Sequence, residues 1–246
     1  ELARMMAHAQ KKLGNTSAAE KALEGAATAD PDDPSSLVKL AELCFEKQDY
    51  KCAVRNAHKA LKLKPGHTRA LKIKAFAYRA AGANDQALPV LDSLLGKTPS
   101  DVSVLLTKAD IMLERQEYSR AGKLAAKALK VEPDSPRAHF AAGMAANGTE
   151  DYKDAIKHYK TALKGKKDDP VILYNLGVAY SKLDKLEEAV RTLKACTKAD
   201  PKFPECWYGW GLMSLALGKE KNALRAVKKL KKLDKGLADQ LEGQIE

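Results

Sequence analysis

The stretch Leu173–Pro201, LYNLGVAYSKLDKLEEAVRTLKACTKADP, decides the fold. Leu173, Leu176, Gly177 and Tyr180 are spaced by three and four residues or fewer, the pattern of one helix face. A polar break follows at Asp184-Lys185, then a second helical run through Ala189 and Leu193. Asp200-Pro201 ends it, because proline lacks an N–H donor and pushes the preceding residue out of the helical region. The stretch reads as two short helices joined by a turn.

The same beat extends in both directions. Ala189 belongs to the series Ala19, Ala53, Ala87, Ala121, Ala155, Ala189, Ala223, with a period of 34 and no slippage. Gly177 belongs to Ala7, Ala41, Ala75, Ala109, Gly143, Gly177, Gly211. Pro201 belongs to Pro31, Pro65, Pro99 and Pro133, with Lys167 out of pattern. Breaks inside the units are expected at Gly14-Asn15, Gln48-Asp49, Gly82-Ala83, Gln116-Glu117, Gly148-Thr149, Asp184-Lys185 and Gly218-Lys219. Each helix is near or below the length at which isolated helices are marginal, so stability has to come from stacking. The two small residues of each unit mark where its helices cross, and a bulky side chain there should cost about 1–3 kcal/mol.

This pattern resembles the tetratricopeptide repeat, W-x2-L-G-x2-Y, then A-x3-F, then P. Leu173-x2-Leu176-Gly177-x2-Tyr180, Ala189-x3-Leu193 and Pro201 follow it closely, as do Trp207-x2-Trp210-Gly211 with Ala223-x3-Val227. A more degenerate copy is Leu37-x2-Leu40-Ala41-x2-Cys44, Ala53-x3-Ala57 and Pro65. The resemblance implies an all-α, right-handed α-solenoid of seven helix–turn–helix repeats over residues 1–235, with units starting near 1, 34, 68, 102, 136, 170 and 204. Residues 236–246 are expected to form an amphipathic capping helix, with Leu237, Leu241 and Ile245 on one face. Pro89 falls inside the second helix of the third unit and reads either as a tolerated kink or as a hinge.

Composition narrows the partner. The chain of 246 residues carries a net charge of +11, which favours an acidic partner. No apolar run approaches the roughly 18 residues of a membrane span. The chain opens at Glu1 inside a repeat, which reads as a processed or excised boundary and leaves room for a targeting segment upstream. Cytoplasmic and bacterial periplasmic or envelope locations both remain open.

In this family the first helices line an inner groove. Carried over by position, its C-terminal part holds Arg137, Phe140, Met144 and Asn147, then Val171, Tyr174, Asn175 and Val178, then Tyr208 and Leu212. Apolar patches rimmed by polar residues tend to mark interaction sites, and Tyr and Arg recur at binding hot spots. Asn175 resembles groove asparagines that hold a ligand backbone. The alternative is that these aromatics pack on one another or on the cap. A second, more basic part comprises Arg4, Lys39, Arg69, Lys72 and Phe76. Members that clamp chaperone C-termini use two asparagines and a final arginine; here Arg4, His8, Lys39, Arg69 and Ile73 stand at the clamp positions, so that ligand is not expected.

The second helices present recurrent cations outward, including Arg191, Lys194 and Lys198, then Arg225, Lys228 and Lys232. They are either a solvated face or a ridge that docks on anionic membrane. Nucleic acid is disfavoured because no aromatics interleave with them. Cys44 with Cys52, and Cys196 with Cys206, lie equidistant from helix–helix turns and so are candidates for two disulfides; the alternative is four reduced core residues. Asn15-Thr16-Ser17 and Asn147-Gly148-Thr149 match glycosylation acceptors. Cys44, Cys52, His58 and His67 match no zinc spacing, and no nucleophile–base arrangement or phosphate loop appears, so neither metal, cofactor nor catalysis is expected. The expected function is a non-enzymatic scaffold or adaptor that binds a protein or peptide segment. The alternatives are a surface-docking module and a self-associating envelope or assembly scaffold.

Overall fold

The computed structural model describes Met5, Gln10 and residues 14–245. Arg4, Ala7 and His8 lie outside the described residues. Among those described there are fourteen α-helices and no strand. They are α1 (Thr16–Ala29), α2 (Pro34–Glu46), α3 (Tyr50–Leu63), α4 (Thr68–Ala80), α5 (Asn84–Lys97), α6 (Val102–Glu114) and α7 (Tyr118–Val131). The others are α8 (Pro136–Gly148), α9 (Tyr152–Gly165), α10 (Pro170–Lys182), α11 (Leu186–Ala199), α12 (Pro204–Ala216), α13 (Glu220–Leu230) and α14 (Lys235–Glu242).

The chain divides into two compact units, residues 1–111 and 112–246. In the first, α1 to α5 pack successively, and α2 also touches α4. In the second, α7 to α14 pack successively; α8 touches α10, α10 touches α12, and α12 touches α14. First helices of neighbouring pairs therefore lie side by side within each unit.

Local chemistry sets the helix ends. Prolines occupy the first turn of α2, α8, α10 and α12, where a missing N–H costs nothing. These form a second proline series, and Pro170 belongs to it rather than to the one that ends each pair. Asp49 and Asp151 cap α3 and α9 by accepting from the N–H of Cys52 and Asp154. Asp169 caps α10 by accepting from Val171 and Ile172.

The turn inside each pair has one residue in the left-handed region: Gly14, Gln48, Gly82, Gln116, Glu150, Asp184 and Gly218, with φ between 57° and 77°. This corrects the break expected at Gly148-Thr149. Gly148 is the last residue of α8, and the turn falls at Glu150 in register with the others. Gly148 is small for another reason: a Cβ there would lie 2.2 Å from the Tyr118 ring.

Packing explains the small residues. Ala53, Ala87, Ala121, Ala155, Ala189 and Ala223 are fully buried, as are Ala41, Ala75 and Ala109. A Cβ on Gly143 would sit 2.6 Å from the Tyr159 ring, and one on Gly177 2.6 Å from Leu193 Cγ. Gly211 is crowded from two sides, by Leu241 of α14 and Ala226 of α13. Leu241 is completely buried, while α14 ends at Glu242 and Ile245 packs on the same cluster from the turn beyond it. The helix is thus shorter than the Leu237–Leu241–Ile245 spacing suggests, with Gly243 as its C-cap. Pro89 is exposed and α5 runs through it unbroken, with Leu91 and Leu94 buried on the other side.

Candidate functional site

In the second unit the first helices α8, α10 and α12 carry the residues expected to form the groove. Phe140 and Met144 of α8 are half-buried against the cluster around Tyr159 and Ile172. Phe140 meets the Tyr159 ring at a centroid distance of 6.0 Å. Asn147 is half-buried, and its Oδ1 is enclosed without a hydrogen-bond partner. Arg137 and Val171 stand exposed at the start of α8 and α10. Val178 is half-buried.

Tyr174, Tyr208 and Leu212 are half-buried and pack on one cluster with Trp207 and Met213. Tyr174 lies 5.7 Å from the Phe203 ring. Its hydroxyl pKa is pushed up by burial first, and then by the negative charge of Glu205 and the neighbouring Tyr208. Tyr174, Tyr208 and the Glu205 carboxylate are thus brought together. Asn175 donates from Nδ2 to Val171 O of its own helix at 2.8 Å, so this donor is already engaged within α10.

The first unit differs. Arg69 forms a two-point ion pair with Glu42, whose second contact, Nη2 to Oε2, is 2.8 Å. Lys72 meets Asp101 at 2.8 Å and lies 6.0 Å from the Phe76 ring centroid. Burial works against ionisation of Asp101, but hydrogen bonds from Lys72, Ser103 and the Val104 N–H outweigh it, and its pKa falls below the ordinary carboxylate value. Arg69 and Lys72 are therefore neutralised where they stand. Lys39 is exposed. Glu42, Phe45, Arg69, Lys72, Ile73 and Phe76 line a cavity of about 390 Å³.

The outward cations all reach solvent: Arg191, Lys194 and Lys198 from α11, Arg225 and Lys228 from α13, and Lys232 just beyond it. Leu224 stands among them, 46% exposed.

The cysteines are joined as Cys44–Cys52 and Cys196–Cys206, with Cα separations of 5.6 and 5.7 Å, inside the range disulfides span. Asn56 Nδ2 points at the first pair, 3.3 Å from Cys52 Sγ. The Glu20 carboxylate also converges on it, but sulfurs bonded to each other offer no thiolate to a metal.

One arrangement has no counterpart among the sequence motifs. His139 of α8 and His158 of α9 face each other with Nδ1 atoms 2.9 Å apart. His139 Nε2 lies 2.9 Å from Pro133 O, and His158 Nε2 3.4 Å from an Asp154 carboxylate oxygen. Burial lowers the His158 pKa; Asp154 opposes this, and His139 and Lys157 add to it. The two histidines come from the two helices of the α8–α9 hairpin, His139 eleven residues before Glu150 and His158 eight after it. No spacing rule in the sequence marks this contact.

This is a protein built of consecutive helix pairs at a 34-residue period, with the first helices of neighbouring pairs side by side within each unit. The family description "Tetratricopeptide repeat" matches residues 4–54 and 45–102, and "Tetratricopeptide repeat protein 21 C-terminal ARM domain" matches residues 100–207. The chain belongs to the tetratricopeptide repeat family, whose arrays serve as protein-interaction scaffolds. Solved structures agree on the fold. A tetratricopeptide repeat protein from Parabacteroides merdae is 17% identical, with a TM-score of 0.72 over 99% of this chain and 97% of its own. The Pseudomonas aeruginosa pilF structure is 13% identical, with a TM-score of 0.74 over 87% and 98%. The APC/C hetero-tetramer Cut9-Hcn1 is 15% identical, with a TM-score of 0.73 over 94% of this chain and 48% of that one. No curated protein matches the chain in sequence. Among the described residues no helix is long and apolar enough to cross a membrane.

Proposed function

We infer that the chain is a non-enzymatic adaptor whose second unit holds an extended or helical segment of a partner protein across α8, α10 and α12. The observation that carries this is the patch of Tyr174, Tyr208 and Leu212, half-exposed on adjacent first helices. Large rigid side chains that keep surface in the free protein have apolar area left to bury on a partner. Glu205 at their edge favours a segment bearing a Lys or Arg beside its apolar anchors.

The test is affinity capture with wild type and with Tyr174→Ala/Tyr208→Ala, followed by identification of the proteins lost. Loss of a discrete set of partners with unchanged helicity supports the reading. Identical partners from both sinks it.

A second reading rests on Leu224, which stands exposed among Lys221, Arg225 and Lys228 on the outer face of α13. An apolar side chain framed by cations suits the surface of an anionic bilayer. Flotation with phosphatidylserine vesicles should then weaken with salt, and weaken again in Arg225→Glu/Lys228→Glu. Binding that ignores both would rule this reading out.

A further inference from the structure

We propose that His139 and His158 hold a divalent transition-metal ion between their two Nδ1 atoms. Pro133 O can only accept, so His139 Nε2 carries the hydrogen, and His139 Nδ1 is left as a bare lone pair. The Asp154 carboxylate stands in the same relation to His158 Nε2. If His158 likewise donates there, two bare lone pairs face each other at 2.9 Å. If it turns its hydrogen toward His139 instead, its bare Nε2 faces a carboxylate oxygen at 3.4 Å. No neutral tautomer of the pair satisfies all three contacts. A positive centre between the Nδ1 atoms does, whether a proton that makes His158 an imidazolium or a metal ion in its place.

The surroundings suit a metal. A metal-ligating histidine generally donates its second nitrogen to a carboxylate or backbone carbonyl, which fixes the ring and raises its basicity. Here one ring has the carbonyl and the other the carboxylate. The rings project from two helices packed together, so α8 and α9 hold the separation between them. With metal–nitrogen bonds of about 2.0–2.1 Å, nitrogens 2.9 Å apart subtend about 90° at the ion. A tetrahedral site would need them about 3.3 Å apart. The spacing therefore fits two adjacent corners of a square or tetragonal set, the preference of Cu(II) and Ni(II) rather than Zn(II). His158 also borders a cavity of about 400 Å³ lined by Tyr118, Asp151 and Asp154, so water is at hand for the remaining corners.

The experiment is a Cu(II) titration of tag-free protein, with bound metal measured after dialysis and the spin resonance spectrum read for nitrogen hyperfine structure. The expected result is one Cu(II) per chain with two imidazole nitrogens, and Ni(II) and Zn(II) binding more weakly at the same place. His139→Ala and His158→Gln should each weaken binding more than about tenfold, and Asp154→Ala by about tenfold, the scale of losing an outer partner. His58→Ala should change nothing. Helicity measured on every variant separates loss of the ligand from loss of the fold. The proposal is overturned if Cu(II) binding is unaffected by either histidine substitution. It is equally overturned if the imidazole resonances of both rings stay unmoved by metal, with a proton seen on the His158 Nδ1 at neutral pH.

Discussion

Replacing Glu150 by glycine should make the protein more stable. Glu150 has φ of +63°, as its turn register demands, and the left-handed region costs an L-residue about 1–2 kcal/mol. Three of the seven equivalent turns already carry glycine there, at Gly14, Gly82 and Gly218. Glycine gives back about 0.4–1 kcal/mol through the greater freedom of the unfolded chain. Glu150→Gly is therefore expected to gain about 0.5–1 kcal/mol. The reverse change is clean, because a Cβ on Gly218 would meet nothing within 4 Å. Gly218→Ala should thus lose a similar amount through the backbone alone. Gln48, Glu150 and Asp184 lie in separate repeats, so their effects should add. The triple glycine variant should gain about 1.5–3 kcal/mol, or a rise of roughly 3–12 °C in Tm for a chain of this size. Urea unfolding followed by circular dichroism measures both. A lower midpoint for Glu150→Gly, or a neutral Gly218→Ala, would show that these turns are not held in the strained region.

Gly211→Ala should cost about 1–3 kcal/mol, because its Cβ would lie 2.4 Å from Leu241 and 2.8 Å from Ala226. The relief is for α14 to lift, so limited proteolysis should cut near residues 235–245 sooner than in wild type. Thiol counting on unfolded protein should find none before reduction and all four cysteines after it. Reduction should remove about 2–3 kcal/mol per bond, the loop-closure value for separations of 8 and 10 residues. The lowered pKa of Asp101 means the folded state binds its proton less readily than the unfolded one. Its contribution is therefore present above the ordinary Asp range and lost as pH falls through the lowered value. Asp101→Asn should flatten the acid limb of a stability–pH profile, and an unchanged limb would remove the Lys72–Asp101 contact from the account.

The fold was readable because a stacked array repeats its constraints. Ala189 alone says little, but the same residue type at the same offset in seven units can only mark a crossing too tight for a larger side chain. The turns were less readable. Gly148 attracts the break by residue type, yet it answers to the Tyr118 ring, while Glu150 occupies the strained position with no glycine to announce it. Pairings between repeats were hidden as well. Arg69 and Lys72 carry cations onto the first-unit face, but Glu42 and Asp101, 27 and 29 residues away, cancel them only once neighbouring repeats are packed. The histidine pair escaped because 19 residues separate its members and no motif spans them.

The most direct test of the account is to select peptides against the whole protein from a random displayed library, then measure their affinity for wild type and for Tyr174→Ala/Tyr208→Ala. The account predicts selected peptides with apolar anchors beside a Lys or Arg, bound at least about tenfold more weakly by the variant, since a hot-spot truncation costs 2 kcal/mol or more. Peptides that bind both proteins equally, or that crosslink to the α11 and α13 faces instead of α10 and α12, would contradict it.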